Sequence, residues 1–448
     1  MREEKQQPME QVREFLVAGD VSGALSHLER LHPADQAEVI AALDPELRLP
    51  LLPQLPQETL AEILGYLKEE PRRHVVMELE AAVLAPLLDR VDTDVAADVL
   101  HMLPPEQAEQ VLLAMRTAPE VTGLLRHEDE SAGGRMTVDF VALHKEWTVD
   151  QALAYLRRTH PDAEHAYYLY VIDADHRLEG VVSLRHLVVA APEERIADIM
   201  TPEVISIRVD EDQEEAARIL QRYNFVALPV VDEKSRLVGV ASVDDLMDVA
   251  QEEATEDMYR MVGLTEEESV LRPLRQSLLP RLSWLLFYLV IAFFAALTVN
   301  AFESTIHEVV ALAVFMPMIV GLGGNAGVQT ITLIVRSLAL GQVEPRQALR
   351  VLRRELIIAA LNGVVLGLII GVAAFLWKDN AWLGVVAGLA TLLSLGAAVT
   401  AGVLVPTALR LARLDPALAS GIIVTGFTDV LGFFFFLGLA ALLIERLT

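Results

Sequence analysis

Apolar positions follow three regimes along this chain. From residue 12 to 115 they recur at three- and four-residue intervals, as in Ala37, Ile40, Ala41 and Leu60, Ile63, Leu64, Leu67, with short Pro-containing breaks between runs. That period predicts amphipathic helices. HPADQAEVIAAL, LPQETLAEILGYL and LPPEQAEQVLLAM each set Pro ahead of an acidic first turn and an apolar stripe, the pattern of a helix start. One such helix cannot bury its stripe alone, so residues 1–130 read as an all-α superhelix of stacked short helices.

From 131 to 250 short apolar runs alternate with helical stretches, and the segment repeats itself. GRMTVDFVALHKEWTVDQALAYLRR parallels DIMTPEVISIRVDEDQEEAARILQR, with the Met-Thr pairs 64 residues apart. RLEGVVSLRHLV parallels RLVGVASVDDLM, with Ser183 and Ser242 59 residues apart. Each unit predicts strand, helix, strand, strand, helix; in the second these fall at 204–209, 213–223, 227–231, 237–242 and 243–250.

In the third regime apolarity is continuous. Runs at 282–301, 309–340, 356–377, 382–411 and 421–444 each approach or exceed the ~20 residues of a membrane-spanning helix. The second and fourth are long enough to tilt or break, with Pro317 and Pro406 as candidate kinks. Arg336, at the end of the second run, and Arg346, Arg350, Arg353 and Arg354 lead from span two to span three, and Arg410, at the end of the fourth run, and Arg413 lead from four to five. The loop between one and two carries Glu303, His307 and Glu308 without Lys or Arg. The positive-inside rule then places the N-terminus in the cytoplasm and the C-terminus outside, and the first residues lack the apolar core of a signal peptide. Five helices hardly enclose a pore, so a homodimer with ten helices about a twofold axis is expected.

Charge divides the chain the same way. The whole carries -27, but residues 275–448 hold 11 basic and 8 acidic side chains, leaving 25 basic and 55 acidic before them. An acidic half of this kind disfavours nucleic acid and suits a divalent cation. With no Cys, disulfides and thiolate metal sites are excluded. The acids concentrate in two places. Asp94 and Asp98 share one helix face, and Asp244, Asp245, Asp248, Glu252, Glu253, Glu256 and Asp257 crowd a connecting helix and linker, 244–275, with no basic residue before Arg260. Such a run repels itself unless solvated or neutralised by cations. Arg272, Arg275 and Arg281 then mark the cytoplasmic membrane edge.

Inside the spans the exceptions to apolarity carry the chemistry. Asp429 lies in GIIVTGFTDVLGFFFFLGLAALLI, where a carboxylate costs about 2.5–3.5 kcal/mol to insert and therefore turns inward and serves a function. Ion coordination, a proton relay and a buried pair with Arg are all open to it. In FMPMIVGLGGNAGVQT, Gly321, Gly323, Gly324 and Gly327 allow close helix approach or a helix opened towards a lumen, while Asn325 and Gln329 fall on one face. The phenylalanines at 433 to 436 read as packing and lipid contact.

The doubled unit at 131–250 resembles a tandem CBS pair, with repeats at 131–197 and 198–250. That resemblance implies clefts for adenine nucleotides such as ATP, with Ser242 and Asp245 of a Gly-h-h-Ser-x-x-Asp pattern as the contacts; the first repeat departs from it, having His186 in the place of the Asp. The Pro317 to Gln329 run, Thr428-Asp429, the CBS pair and the acidic helical domain together resemble the MgtE family of magnesium channels. The fold implied is a multidomain membrane protein: an all-α superhelical domain, an α/β CBS pair, a connecting helix and an all-α five-helix domain at 276–448, in the inner membrane. The resemblance further implies a homodimeric pore with Asp429 on the ion and Asn325 and Gly432 lining it. It implies closure by cytosolic Mg2+ held through Asp94, Asp98, Glu214, Asp245, Asp248, Glu253, Glu256 and Asp257. Asn224 stands where a further acid is expected, which weakens one sensor site.

Magnesium fits this donor set, since it demands octahedral oxygen ligands and keeps its water. The absence of Cys and of His within the spans disfavours softer ions. Two other readings stay in view: an ion-coupled secondary divalent-cation transporter with Asp429 as protonatable carrier, and a CBS-regulated membrane sensor that moves no ion. An enzyme is not expected, because no nucleophile-base pair or phosphate loop is present.

Overall fold

The computed structural model describes residues 2–159, 167–265, 268, 270, 273–418 and 420–448; Arg272 lies outside them. The chain divides into two compact units, Met1–Ala250 and Gln251–Thr448.

The first unit begins with short helices that start at regular intervals: Pro33–Ala42, Gln57–Tyr66, Ala81–Leu88 and Pro105–Ala114, offset by Glu69–Met77, Thr93–Met102 and Ala118–Leu124. Each packs on the helix two places further along, which is how short amphipathic helices bury their stripes in a superhelix. Pro33 and Pro105 occupy the first turns of their helices, and Pro56 caps the start of Gln57–Tyr66. A buried Arg48 fixes the stack internally, donating from Nη2 and Nε to the two carboxylate oxygens of Glu78 at 2.6 and 2.9 Å. Paired bidentately, the two charges offset the desolvation each would suffer alone.

The doubled segment folds as two small sheets. The first orders β1 (Ala142–His144), β2 (Tyr168–Ile172), β3 (Leu178–Ser183) and β4 (Thr201–Pro202); the second orders β5 (Ile207–Arg208), β6 (Ala227–Val231) and β7 (Leu237–Ser242). In both, the first pair is parallel and the second antiparallel. β5 is shorter than its apolar run predicts; just past it Val209 N–H still donates to Val231 O of β6, while Val209 O accepts from Gly133 N–H. The two Met-Thr segments are exchanged: Thr201 pairs on β3 of the first repeat, whereas Thr137 bridges Val240 of β7 in the second. Met200 and Met136 thereby pack against the hydrogen faces of Gly180 and Gly239, where any Cβ would meet sulfur at 2.5 and 2.4 Å. This is the physical role of the Gly in each repeated pattern.

Among the described residues of the second unit, five helices are long and apolar enough to cross a membrane: Leu274–Ala301, Leu312–Ala339, Ala348–Lys378, Ala381–Leu411 and Ser420–Leu442. They are referred to as spans one to five. Pro317 and Pro406 lie inside continuous helices, so the glycine-rich second span serves close packing and does not open. Span four is the centre, packed on spans two, three and five. Gly367 and Gly371 of span three face Gly388 and Gly384 of span four, and a methyl on any of these would come within 2.5–2.8 Å of the opposite carbonyl oxygen.

Candidate functional site

The candidate residues gather in three places. In the first unit, the helix Thr93–Met102 carries Asp94 and Asp98, and it is pinned to the second repeat's surroundings by a small network. Thr93 N–H donates to Asp139 Oδ2 at 3.1 Å, the Thr93 and Thr137 hydroxyls meet at 3.0 Å, and Val138 N–H donates to Thr93 Oγ1 at 3.1 Å. Both threonines are buried. The network brings Asp94 beside Asp245, which begins the helix Val243–Met261. Burial and then repulsion from Asp245, Asp92 and Asp98 hold the Asp94 carboxyl well above the usual range. Its Oδ1 is buried without a hydrogen-bond partner among the described residues.

Burial pushes Asp245 up to about 6; the Ser242 hydroxyl bonded to it lowers it in part, and Asp244, Asp98 and Asp92 raise it. Burial also raises Asp98, against the pull of Arg72, whose Nη1 lies 3.0 Å from Oδ2. A group of carboxylates held together against their own repulsion is a place where a cation is favourable. Among the described residues no three such side chains converge tightly enough to ligate one metal directly, an arrangement suited to an ion that keeps its water. Asp248 stands one turn beyond Asp245 and is exposed. Glu214 lies apart, in the first turn of Gln213–Tyr223, where it acts on Arg218. That helix ends at Asn224, whose left-handed backbone (φ 54°) caps it; Asn suits this conformation.

Ser242 and Asp245 thus belong to the acidic cluster. A cavity of about 530 Å³ lies at the first repeat, lined by Tyr167, Tyr168, Ser183, Arg185, Val188 and Val226, among others. His186 is exposed at the start of the adjoining helix, its backbone N–H capped by Ser183 Oγ at 3.2 Å.

The second unit holds the other end of the acidic helix. Glu256 pairs with Arg260, and Arg260 Nη1 lies 2.7 Å from Asp415 Oδ2 in the loop before span five. Burial pushes Asp257 up to about 6, helped by Asp415 and Glu253 and opposed by Arg336 and Arg260. Asp415 is the residue that sequence reasoning missed here, since a lone acid after Arg413 looks like loop solvent contact.

Asp429 forms the third site. The Tyr288 hydroxyl of span one donates to its Oδ2 at 3.2 Å. Span five reaches span two through small residues: Gly324 faces Thr428, Gly327 meets Val424 and Thr428, and Gly432 faces Val320. Asn325 and Gln329 are exposed on span two, with Asn325 Nδ2 donating to Gly321 O at 2.9 Å; its carbonyl oxygen stays available as an acceptor. Gly432 also faces Ser394 of span four, as does Gly323. The Ser394 hydroxyl is buried there with no hydrogen-bond partner among the described residues. Replacing Ser394 by Ala is expected to raise thermal stability in detergent by about 1 kcal/mol, since an unsatisfied buried hydroxyl costs roughly 1–3 kcal/mol; an unchanged or lowered melting temperature would contradict this packing.

Comparison with known proteins adds the following. Residues 316–439 match a family described as MgtE, divalent cation transporter; residues 31–130 match the MgtE intracellular N domain, and 132–193 and 196–252 match the CBS domain. The magnesium transporter MgtE of Thermus thermophilus is 38% identical over 441 residues, 97% of this chain and 98% of that one. The magnesium transporter MgtE of Bacillus subtilis is 35% identical over 324 residues, 72% of each chain. A crystal structure of the cytosolic domain of the Mg2+ channel MgtE in complex with ATP aligns with a TM-score of 0.51 at 40% identity, covering 54% of this chain and 99% of that chain. The soluble part of a magnesium transporter aligns with a TM-score of 0.51 at 33% identity, covering 56% and 99%.

Proposed function

We propose, because this chain belongs to the MgtE family of magnesium transporters, that it is a magnesium channel of the inner membrane, working as a homodimer and closed by cytosolic Mg2+. The observation that carries the reading is Asp429: a single half-buried carboxylate within the fifth span, beside a second span whose Gly321, Asn325 and Gln329 are left exposed. A twofold axis on that face would set two carboxylates on one hydrated dication, with the Asn325 carbonyl oxygen and the backbone near Gly432 accepting from its water. The arginine-rich loops support an orientation with the soluble domains in the cytoplasm and the C-terminus outside.

Closure follows from the acidic clusters. Asp94, Asp98 and Asp245 repel one another in one unit and Glu253, Glu256 and Asp257 crowd the other, with Asp248 one turn beyond Asp245 and Glu214 apart on Gln213–Tyr223. Cytosolic Mg2+ favours whichever conformation holds such carboxylates close, and that preference shifts the population towards the closed pore. An adenine nucleotide fits the first-repeat cavity, where Tyr167 and Tyr168 supply ring faces and Arg185 a phosphate partner; the ATP named with the related cytosolic domain supports this.

The test is flux into liposomes holding the full-length protein, with internal Mg2+ varied. An inward current that follows the magnesium gradient and falls as internal Mg2+ rises is the expected result. Flux indifferent to internal Mg2+ would overturn the closure mechanism, and an obligatory proton counterflow would make the protein a coupled transporter.

A further inference from the structure

Asp429 has little choice of partner. Thr428 beside it donates its hydroxyl to Thr425 O at 2.8 Å, and the Asn325 amide is engaged with Gly321 O. Among the described residues the one side-chain hydrogen bond to Asp429 comes from Tyr288, through Oδ2. Tyr288 is itself half-buried in span one. Span one touches span five here, where Ile291 lies over Gly426, and this contact sets the phenol against Asp429.

We propose that Tyr288 is a positioning residue that sets ion specificity, a role that rests on reading Asp429 as the ion ligand. With Oδ2 already accepting from the phenol, symmetric bidentate capture through both oxygens is disfavoured and Asp429 presents Oδ1 as its unengaged oxygen. Calcium accepts carboxylates bidentately at 2.3–2.6 Å and tolerates irregular shells, whereas magnesium keeps several waters and needs only an acceptor for them. Holding back one oxygen therefore removes more from calcium than from magnesium. A carboxylate free to turn both oxygens towards the axis would lose that bias. The hydroxyl also fixes the plane of the carboxylate, as groups behind a ligand do in metal sites generally.

The experiment compares two donor-free variants, Tyr288→Phe and Tyr288→Met, with Tyr288→His, which keeps a ring donor. Magnesium flux into liposomes holding the full-length protein is measured against added external Ca2+. The donor-free variants are expected to keep maximal Mg2+ flux within about threefold while Ca2+ competes at concentrations about tenfold lower than for the parent; Tyr288→His is expected to retain the parent's discrimination. An unchanged Mg2+/Ca2+ ratio in the donor-free variants, or loss of Mg2+ flux in both, would overturn the proposal. Asp429→Ala runs alongside: if it conducts Mg2+ as the parent does, the ligand assignment itself fails, an outcome read independently of the Tyr288 ratios.

Discussion

Replacing Asp429 by Ala is expected to reduce Mg2+ flux into liposomes to the level of protein-free vesicles. A dication about 4.5 Å from one carboxylate is attracted by roughly 7 kcal/mol at an effective dielectric of 20, and among the described residues of the five helices the other acid, Glu355 near the start of span three, is paired with Arg354. The helices themselves should be indifferent to the change, since Ala is a better helix former than Asp. The protein should therefore be recovered folded, and a loss of flux would then be a loss of ion attraction. Asp429→Asn keeps an acceptor of the same shape but no charge and should be nearly as inactive. If Asn conducted well, dipoles alone would suffice and the carboxylate would be dispensable.

The second large effect is expected in the acidic cluster around Asp94. In the folded state its carboxyls titrate high, Asp245 near 6 against a value near 4 when unfolded. Between those limits the folded form binds more protons than the unfolded one. The stability this contributes is thus full below about pH 4 and is lost as pH rises through about 6. In thermal unfolding of the full-length protein without divalent ions, the melting temperature should fall by several degrees over that window. Added Mg2+ should restore it at pH 7, because it replaces the missing protons as the source of positive charge. Asp94→Asn should flatten the pH dependence and weaken the rescue by Mg2+, and the same variant should leave the pore less sensitive to internal Mg2+. A variant with unchanged pH and Mg2+ responses would remove Asp94 from the sensor.

Much of the molecule could be read from residue order. The Pro-led helix starts at Pro33 and Pro105, the doubled strand and helix units and the five spans are all set by local patterning, and local patterning is what a sequence displays. Asp429 was legible for the same reason: one charge in an apolar run stands out without any partner being known. What escaped were relations made by tertiary contact. Tyr288 in WLLFYLV looks like an ordinary apolar-run tyrosine until span one is laid on span five. Ser394 becomes unusual only where three helices meet, between Gly323 and Gly432. Asp94 and Asp245 could each be named as acids, yet their proximity depends on a threonine network 40 or more residues away in sequence from Thr93. The exchange of Met136 and Met200 between repeats is similarly invisible, because either pairing satisfies the same alternation of side chains.

Spans three and four meet at backbone distance along Gly367, Gly371, Gly384 and Gly388, and this contact decides what can move. Sliding one helix past the other would bring side chains of the same face, such as Ala374 and Leu392, against the opposing glycine backbone, and rotation would turn bulkier neighbours into it. The hairpin is accordingly a rigid strut, and on the proposed channel reading the transition between conducting and closed states is expected in displacements outside it. Spans one, two and five bear the polar residues, and their mutual contacts rest on side chains such as Ile291, Val320 and Val424, which can exchange neighbours without colliding with backbone. A cross-link within the strut should then leave gating intact, while one tying span one to span five should freeze the pore in whichever state it was made.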